Sequence, residues 1–244
     1  MLVLVTPQIM CLYRIIVALL FFSTALSAQV YEKSIGLELA PHQGNRRVTA
    51  GSGVTFTELE RQDSLEMGRG GFSAGLVYDV RTDKIGFTTG IRYLETGYVV
   101  GQQPTTLDPN STLTFSETVK AQYLSIPFEL NFHQNITEKD RVLFTLGVAG
   151  HFHLNTNITQ TNYDEGVETG SEVLPDDPTS SFRSPVFSIN TGIGFDRKVS
   201  DNWSVRIQPN FQFFLQGNLK EDPNRTNRNF YQLGVRVVVR RFIY

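Results

Sequence analysis

Residues 122–133 read QYLSIPFELNFH, in which Leu124, Ile126, Phe128, Leu130 and Phe132 alternate with Tyr123, Ser125, Pro127, Glu129 and Asn131. Successive side chains of a strand point to opposite faces, so one face carries five bulky apolar groups and the other a proline, a carboxylate and an amide. Such a strand separates two very different media. It belongs to a longer alternating segment, Val119 to His133. Seven more of ten or more residues share the period: Lys33 to His42, Gly71 to Arg81, Lys84 to Val99, Arg141 to Leu154, Phe182 to Arg197, Asn202 to Gln216 and Asn229 to Ile243. Stretches of about ten alternating residues are the pattern of transmembrane barrel strands.

The connections alternate too. Thr82-Asp83-Lys84 is short, as are the stretches around Asn135 to Asp140 and Lys198 to Asn202, whereas Gln43 to Arg69, Gly101 to Thr118, Asn155 to Ser181 and Gly217 to Arg228 are long and polar. Short turns on one rim and long loops on the other predict an all-β fold, an eight-stranded antiparallel up-and-down transmembrane β-barrel with short periplasmic turns and long extracellular loops. No stretch after residue 28 approaches the roughly 20 apolar residues of a membrane helix.

The first residues agree with export. Ile15 to Leu26 is an apolar run of twelve residues, preceded by Arg14 and followed by Ser27-Ala28-Gln29. This is too short for a spanning helix and fits a secretory signal peptide over 1–28, leaving a barrel domain over 29–244. Cys11, the only cysteine, lies ahead of that run, so the mature fold is expected to hold without disulfides. The formal charge of −2 becomes −3 when Arg14, the one charge in the segment, is removed. Such a balance makes no strong field for nucleic acid.

Alternation alone does not say which face looks outward, and a secreted barrel with an apolar interior shares the period. Lysine decides. The six lysines after residue 28, Lys33, Lys84, Lys120, Lys139, Lys198 and Lys220, fall in turns, loops or strand ends. A water-washed outer face would carry some in mid-strand. The polar face instead offers Gly86, Thr88 and Gly90; Gly147 and Ala149; Ser188, Asn190, Gly192 and Gly194; Gln208, Asn210 and Gln212. Small residues and amides suit a narrow closed interior. The apolar face is therefore expected against lipid, in the bacterial outer membrane, where closing the sheet satisfies the backbone groups that hydrocarbon cannot. Tyr78, Phe87, Phe132, Phe195 and Trp203, outward near the periplasmic ends, are expected to form an aromatic girdle.

Seven charges share the inward parity: Glu38, Asp79, Arg92, Glu129, Arg206, Arg236 and Arg240. An unpaired charge in a narrow lumen costs several kcal/mol, so a paired network is expected, with Glu38 and Arg236 joining the first strand to the last. Such a lumen would be filled and would not conduct. Pro127 and Pro209 remove ladder donors, and a bulge or distortion is expected at Pro127.

YLSIPFELNF, preceded by GFTTGIRYLETGY, resembles a recurrent strand pair of the PorT-like family of Gram-negative outer-membrane barrels. The resemblance implies an eight-stranded barrel delivered by a signal peptide and, in the member that names the family, a part in protein secretion. The expected partners are outer-membrane lipids, the barrel insertion machinery and other envelope or secretion proteins. The terminal Tyr244 is similar to the aromatic final residue that this machinery recognises, although its parity is inward.

Two other roles compete with a membrane scaffold or assembly component. The long loops, rich in Thr, Asn, Asp and Glu, could recognise a polar partner at the cell surface. A lipid-modifying enzyme would use a histidine with a serine and an acid near the rim. His42, His151 and His153 share the extracellular inward region and could also converge on a metal. No nucleophile or carboxylate is tied to them by spacing, and no GxSxG, zinc-helix or phosphate-loop motif occurs. The expectation is no enzyme, no cofactor and no metal.

Overall fold

The computed structural model describes residues 32–106, 108, 111–174 and 181–243. The expected signal segment 1–28 and Tyr244 lie outside the described residues. Eight strands close a ring: β1 (Glu32–Ala50), β3 (Gly70–Arg81), β4 (Ile85–Pro104), β5 (Leu113–Asn135), β6 (Asp140–Asp164), β8 (Val186–Lys198), β9 (Trp203–Phe214) and β10 (Thr226–Ile243). Each pairs antiparallel with the next, and β10 pairs with β1 from Lys33↔Ile243 to Ala50↔Thr226. Two short strands lie outside the ring: β2 (Glu66–Gly68) pairs with β4, and β7 (Val167–Leu174) forms a hairpin with β6. No described helix could cross a membrane.

The lipid face follows from the alternation. Along β1, every second residue from Ser34 to Gly44 is buried while Ile35, Leu37 and Leu39 stand exposed, Leu37 by 67%. On β5 the opening stretch behaves as its period demands, with Phe128, Leu130 and Phe132 outward and Glu129 at 0% exposure. A charged residue sealed inside and bare leucines outside describe a protein dissolved in hydrocarbon.

Several strands run past their expected limits. β1 continues to Ala50, β4 to Pro104, β5 begins at Leu113, β6 ends at Asp164 and β10 begins at Thr226, so much of the polar sequence read as loop is paired strand. Lys120, expected at a strand end, therefore sits well inside β5. Within 43–69 the chain also forms α1 (Phe56–Leu65), whose N-cap Thr55 accepts from Glu58 N at 3.3 Å. Hydrogen bonds from Arg61 and Gln62 hold the Glu58 carboxyl below its ordinary range. In the other direction β8 starts at Val186 rather than Phe182, because Pro185 has no amide hydrogen to enter the ladder, and Phe182 makes only an isolated bridge to Leu219.

No bulge forms at Pro127. Between β4 and β5 pairing lapses from Thr89↔Phe128 to Arg92↔Ser125 with the register unchanged, and Thr89 Oγ1 donates to the Pro127 carbonyl at 2.9 Å. Pro209 and Pro41 interrupt the β8–β9 and β10–β1 ladders in the same way. A missing N–H costs its local bonds but leaves the side-chain period intact.

Candidate functional site

The lumen is filled by layers stacked from the periplasmic rim upward. At the rim Arg141 donates to Glu32 at 2.8 Å, and Arg81 lies 3.6 Å from the same carboxylate. Above it Arg206 and Arg240 approach Asp79 at 3.5 and 3.6 Å, and Arg240 also bonds Asp196. Thr88 donates to Asp79, Asn131 to Thr88 at 2.7 Å, and Thr145 to Asn131 at 2.5 Å. The next layer joins Glu129 to Arg236 at 2.8 Å and to Arg92 at 2.9 Å, with Glu38 2.9 Å from Arg92 and 3.5 Å from Arg236.

All seven inward charges expected from the sequence are buried in this network, and Glu38 meets Arg236 across the β1–β10 seam. The structure adds Asp196. Three acids had faced four arginines, and Asp196 makes the two membrane-depth layers balanced at four each. Its parity announced it, as the inward position following Ser188, Asn190, Gly192 and Gly194. Small neighbours make room for these side chains: a Cβ on Gly36 would lie 2.6 Å from Arg240 Cγ, and one on Gly147 2.7 Å from Glu129 Cγ. The glycines of the polar face are thus spaces through which charged chains lie.

Above the charges comes a hydrogen-bonded layer. His151 lies between Ser125 Oγ, 2.7 Å from Nδ1, and Ser188 Oγ, 2.8 Å from Nε2. Gln212 donates to Ser188 at 2.9 Å and Gln232 to Gln212 at 2.6 Å. The His151 ring stacks 4.5 Å below Phe214, where an apolar layer begins. Leu94, Tyr98, Val119, Ala121, Tyr123, Val186, Phe214 and Phe230 fill the lumen there, with ring centroids 5.9 to 6.5 Å apart among Tyr98, Tyr123, Phe214 and Phe230. At the mouth, Arg46 and Arg228 clamp Glu66 at 3.0 and 2.5 Å, and Arg228 covers the Tyr98 ring at 5.0 Å.

The sequence reading missed that apolar layer, although Tyr98, Tyr123, Phe214 and Phe230 carry the inward parity. The outward residues at the same height explain it. Gln43, Asn45 and Arg47 on β1, and Lys120 and Gln122 on β5, face away from the lumen. Polarity has inverted: these strand ends stand in water and enclose an ordinary apolar core.

A sealed ring with lipid-facing aliphatic groups and buried charge is the architecture of an outer-membrane barrel, and a family model described as outer membrane protein beta-barrel domain matches residues 28–217. The chain belongs to that family. This outer-membrane β-barrel protein is accordingly placed in the bacterial outer membrane. Among solved structures, neisserial surface protein A is similar at 12% identity and a TM-score of 0.43, covering 85% of this chain and 96% of that one. OprG from Pseudomonas aeruginosa is similar at 12% identity and 0.41, covering 86% and 96%. Ail, the attachment invasion locus protein of Yersinia pestis, gives 14% identity and 0.33, covering 85% and 99%. No curated protein matches the chain.

Elsewhere on the barrel, Tyr78, Phe87, Phe132, Phe195 and Trp203 all face outward close to the short turns, and Phe132 lies 6.4 Å from Phe144. The histidines are engaged separately. His151 is held by serines, whereas His153 bonds Thr156 at 2.9 Å and stacks on Phe182 at 4.1 Å. His42 lines the lumen near Gln232. Among the described residues no three His, Cys, Asp or Glu side chains gather to hold a metal.

Proposed function

We propose that this outer-membrane β-barrel is a sealed, membrane-embedded scaffold or assembly component of the envelope, acting through its surfaces rather than through a channel. The filled lumen carries the reading. Two ion-paired layers, a histidine–serine–glutamine layer and an aromatic layer succeed one another along the described lumen, where the cavity bounded by Arg92, His151, Gln212 and Arg236 holds only about 10 Å³, and eight strands enclose only enough space for side chains. The YLSIPFELNF resemblance to the PorT-like family makes protein secretion the assembly process to test first. Catalysis has little support, since His151 is bonded to two serines and a glutamine beneath the apolar layer.

Surface recognition is the second reading, and one observation favours it. The β6–β7 hairpin projects beyond the ring, and β7 pairs only with β6 among the described strands, leaving Val167 and Val173 exposed. Crosslinking in the native envelope separates the two. A scaffold keeps its envelope partners when residues 159–174 are deleted from a correctly inserted barrel; a surface binder loses them. In a planar bilayer the purified protein is expected to give no stepwise conductance, and stable conductance steps would sink the sealed-lumen reading.

A further inference from the structure

We infer that the lipid face at the periplasmic end of the β1–β10 seam is a binding site for one anionic glycerophospholipid, with Arg241 and Lys33 holding its headgroup. A groove of about 760 Å³ lies there on the outside of the barrel. Ile35, Leu37, Leu76 and Val239 supply apolar walls, and Trp203 and Arg241 lie at its periplasmic part. The ladder fixes this arrangement: Arg241 sits directly between Ile35 on β1 and Trp203 on β9, and Lys33 is opposite Ile243.

Charge selects the occupant. Arg241 is the one charged side chain on the outward parity of β10, where it follows Leu233, Val235, Val237 and Val239. Arg197, outward near another periplasmic turn, has Asp140 at 3.7 Å. Arg241 has no carboxylate partner among the described residues. Two nearby acids are turned elsewhere: Glu32 inward to Arg81 and Arg141, and Asp196 inward to Arg240.

A guanidinium at this depth, beside an interfacial tryptophan and with no carboxylate partner among the described residues, calls for an anion from the membrane. Lipid phosphate is the anion present there. Arg241 can bind it through two parallel N–H bonds, the Trp203 indole can donate a third, and the acyl chains lie along the aliphatic walls. With Arg241 and Lys33 both outward at this seam, a zwitterionic headgroup would bring its ammonium against Lys33. Lipopolysaccharide occupies the opposite leaflet, away from this end of the barrel.

Native mass spectrometry of the detergent-purified barrel, offered phosphatidylglycerol and phosphatidylethanolamine at equal concentration, tests the site. One phosphatidylglycerol should be retained preferentially, and Arg241→Gln and Lys33→Gln should each lower that retention about fivefold. Arg47→Gln, outward at the other end of β1, should leave it unchanged. Equal retention of the two lipids, an R241Q variant that retains phosphatidylglycerol as well as the parent, or a preference for lipopolysaccharide would overturn the assignment. Heat-modifiable gel mobility checks each variant's fold, and if R241Q does not insert, K33Q at the strand terminus carries the same measurement.

Discussion

The membrane-depth half and the extracellular half of this barrel are built from the same eight strands but obey opposite rules. In the lower half Leu37, Leu39 and Phe128 face outward while Glu38, Arg92, Glu129 and Arg236 meet at the axis. In the upper half Gln43, Arg47 and Lys120 face outward while Tyr98, Phe214 and Phe230 pack inside. The strands run on through the boundary, with only a local gap in the ladder at Pro41 and a register shift between Gln122 and Tyr123. The surrounding medium therefore sets which face is polar, and the backbone is indifferent to it. Closing the sheet leaves both rules available, because the ring strands pair with one another all the way round.

The difference predicts how each half breaks. Glu129→Leu removes the carboxylate shared by Arg92 and Arg236 and leaves two buried guanidinium groups with only Glu38 between them. It should cost about 3 to 5 kcal/mol, read as an earlier urea midpoint for loss of heat-modifiable mobility in lipid vesicles. If the variant unfolds with the parent, the lower lumen is not held by its ion pairs. Phe214→Ala cuts the aromatic layer and should cost about 3 kcal/mol in the same assay.

A smaller effect sharpens the boundary itself. Leu39 and Gln43 share a strand and a face. Leu39→Arg puts a cation into hydrocarbon and should cost about 2 to 4 kcal/mol, whereas Gln43→Arg should stay within about 0.5 kcal/mol. Equal losses at both positions would mean that lipid reaches higher than the inversion implies. Arg61→Ala on α1, where the pair with Glu58 is solvent-exposed, should leave the midpoint unmoved.

Much of this was readable in advance. Hydropathy alternation located the eight ring strands because lipid and lumen demand opposite chemistry on the two faces. The signal faded where that demand faded. In QGNRRVTA, residues 43–50, both faces are polar, so β1 continues to Ala50 with no hydropathy period to announce it. The same loss hid the upper part of β5 and the β6–β7 hairpin. Among site residues, inward parity identified the seven network charges, and carried further it reaches Asp196 and the four lumen aromatics. The Arg241 groove needed three strands brought side by side.

The sequence by itself determined which face of each membrane strand meets lipid, since a period of two is written residue by residue and a single misplaced charge in hydrocarbon is costly. Only the tertiary structure decided which arginine meets which carboxylate, where the lumen changes from ionic to aromatic, and which cation is left facing the membrane. Those choices depend on the register between strands far apart in the chain, and register exists only once the ring has closed.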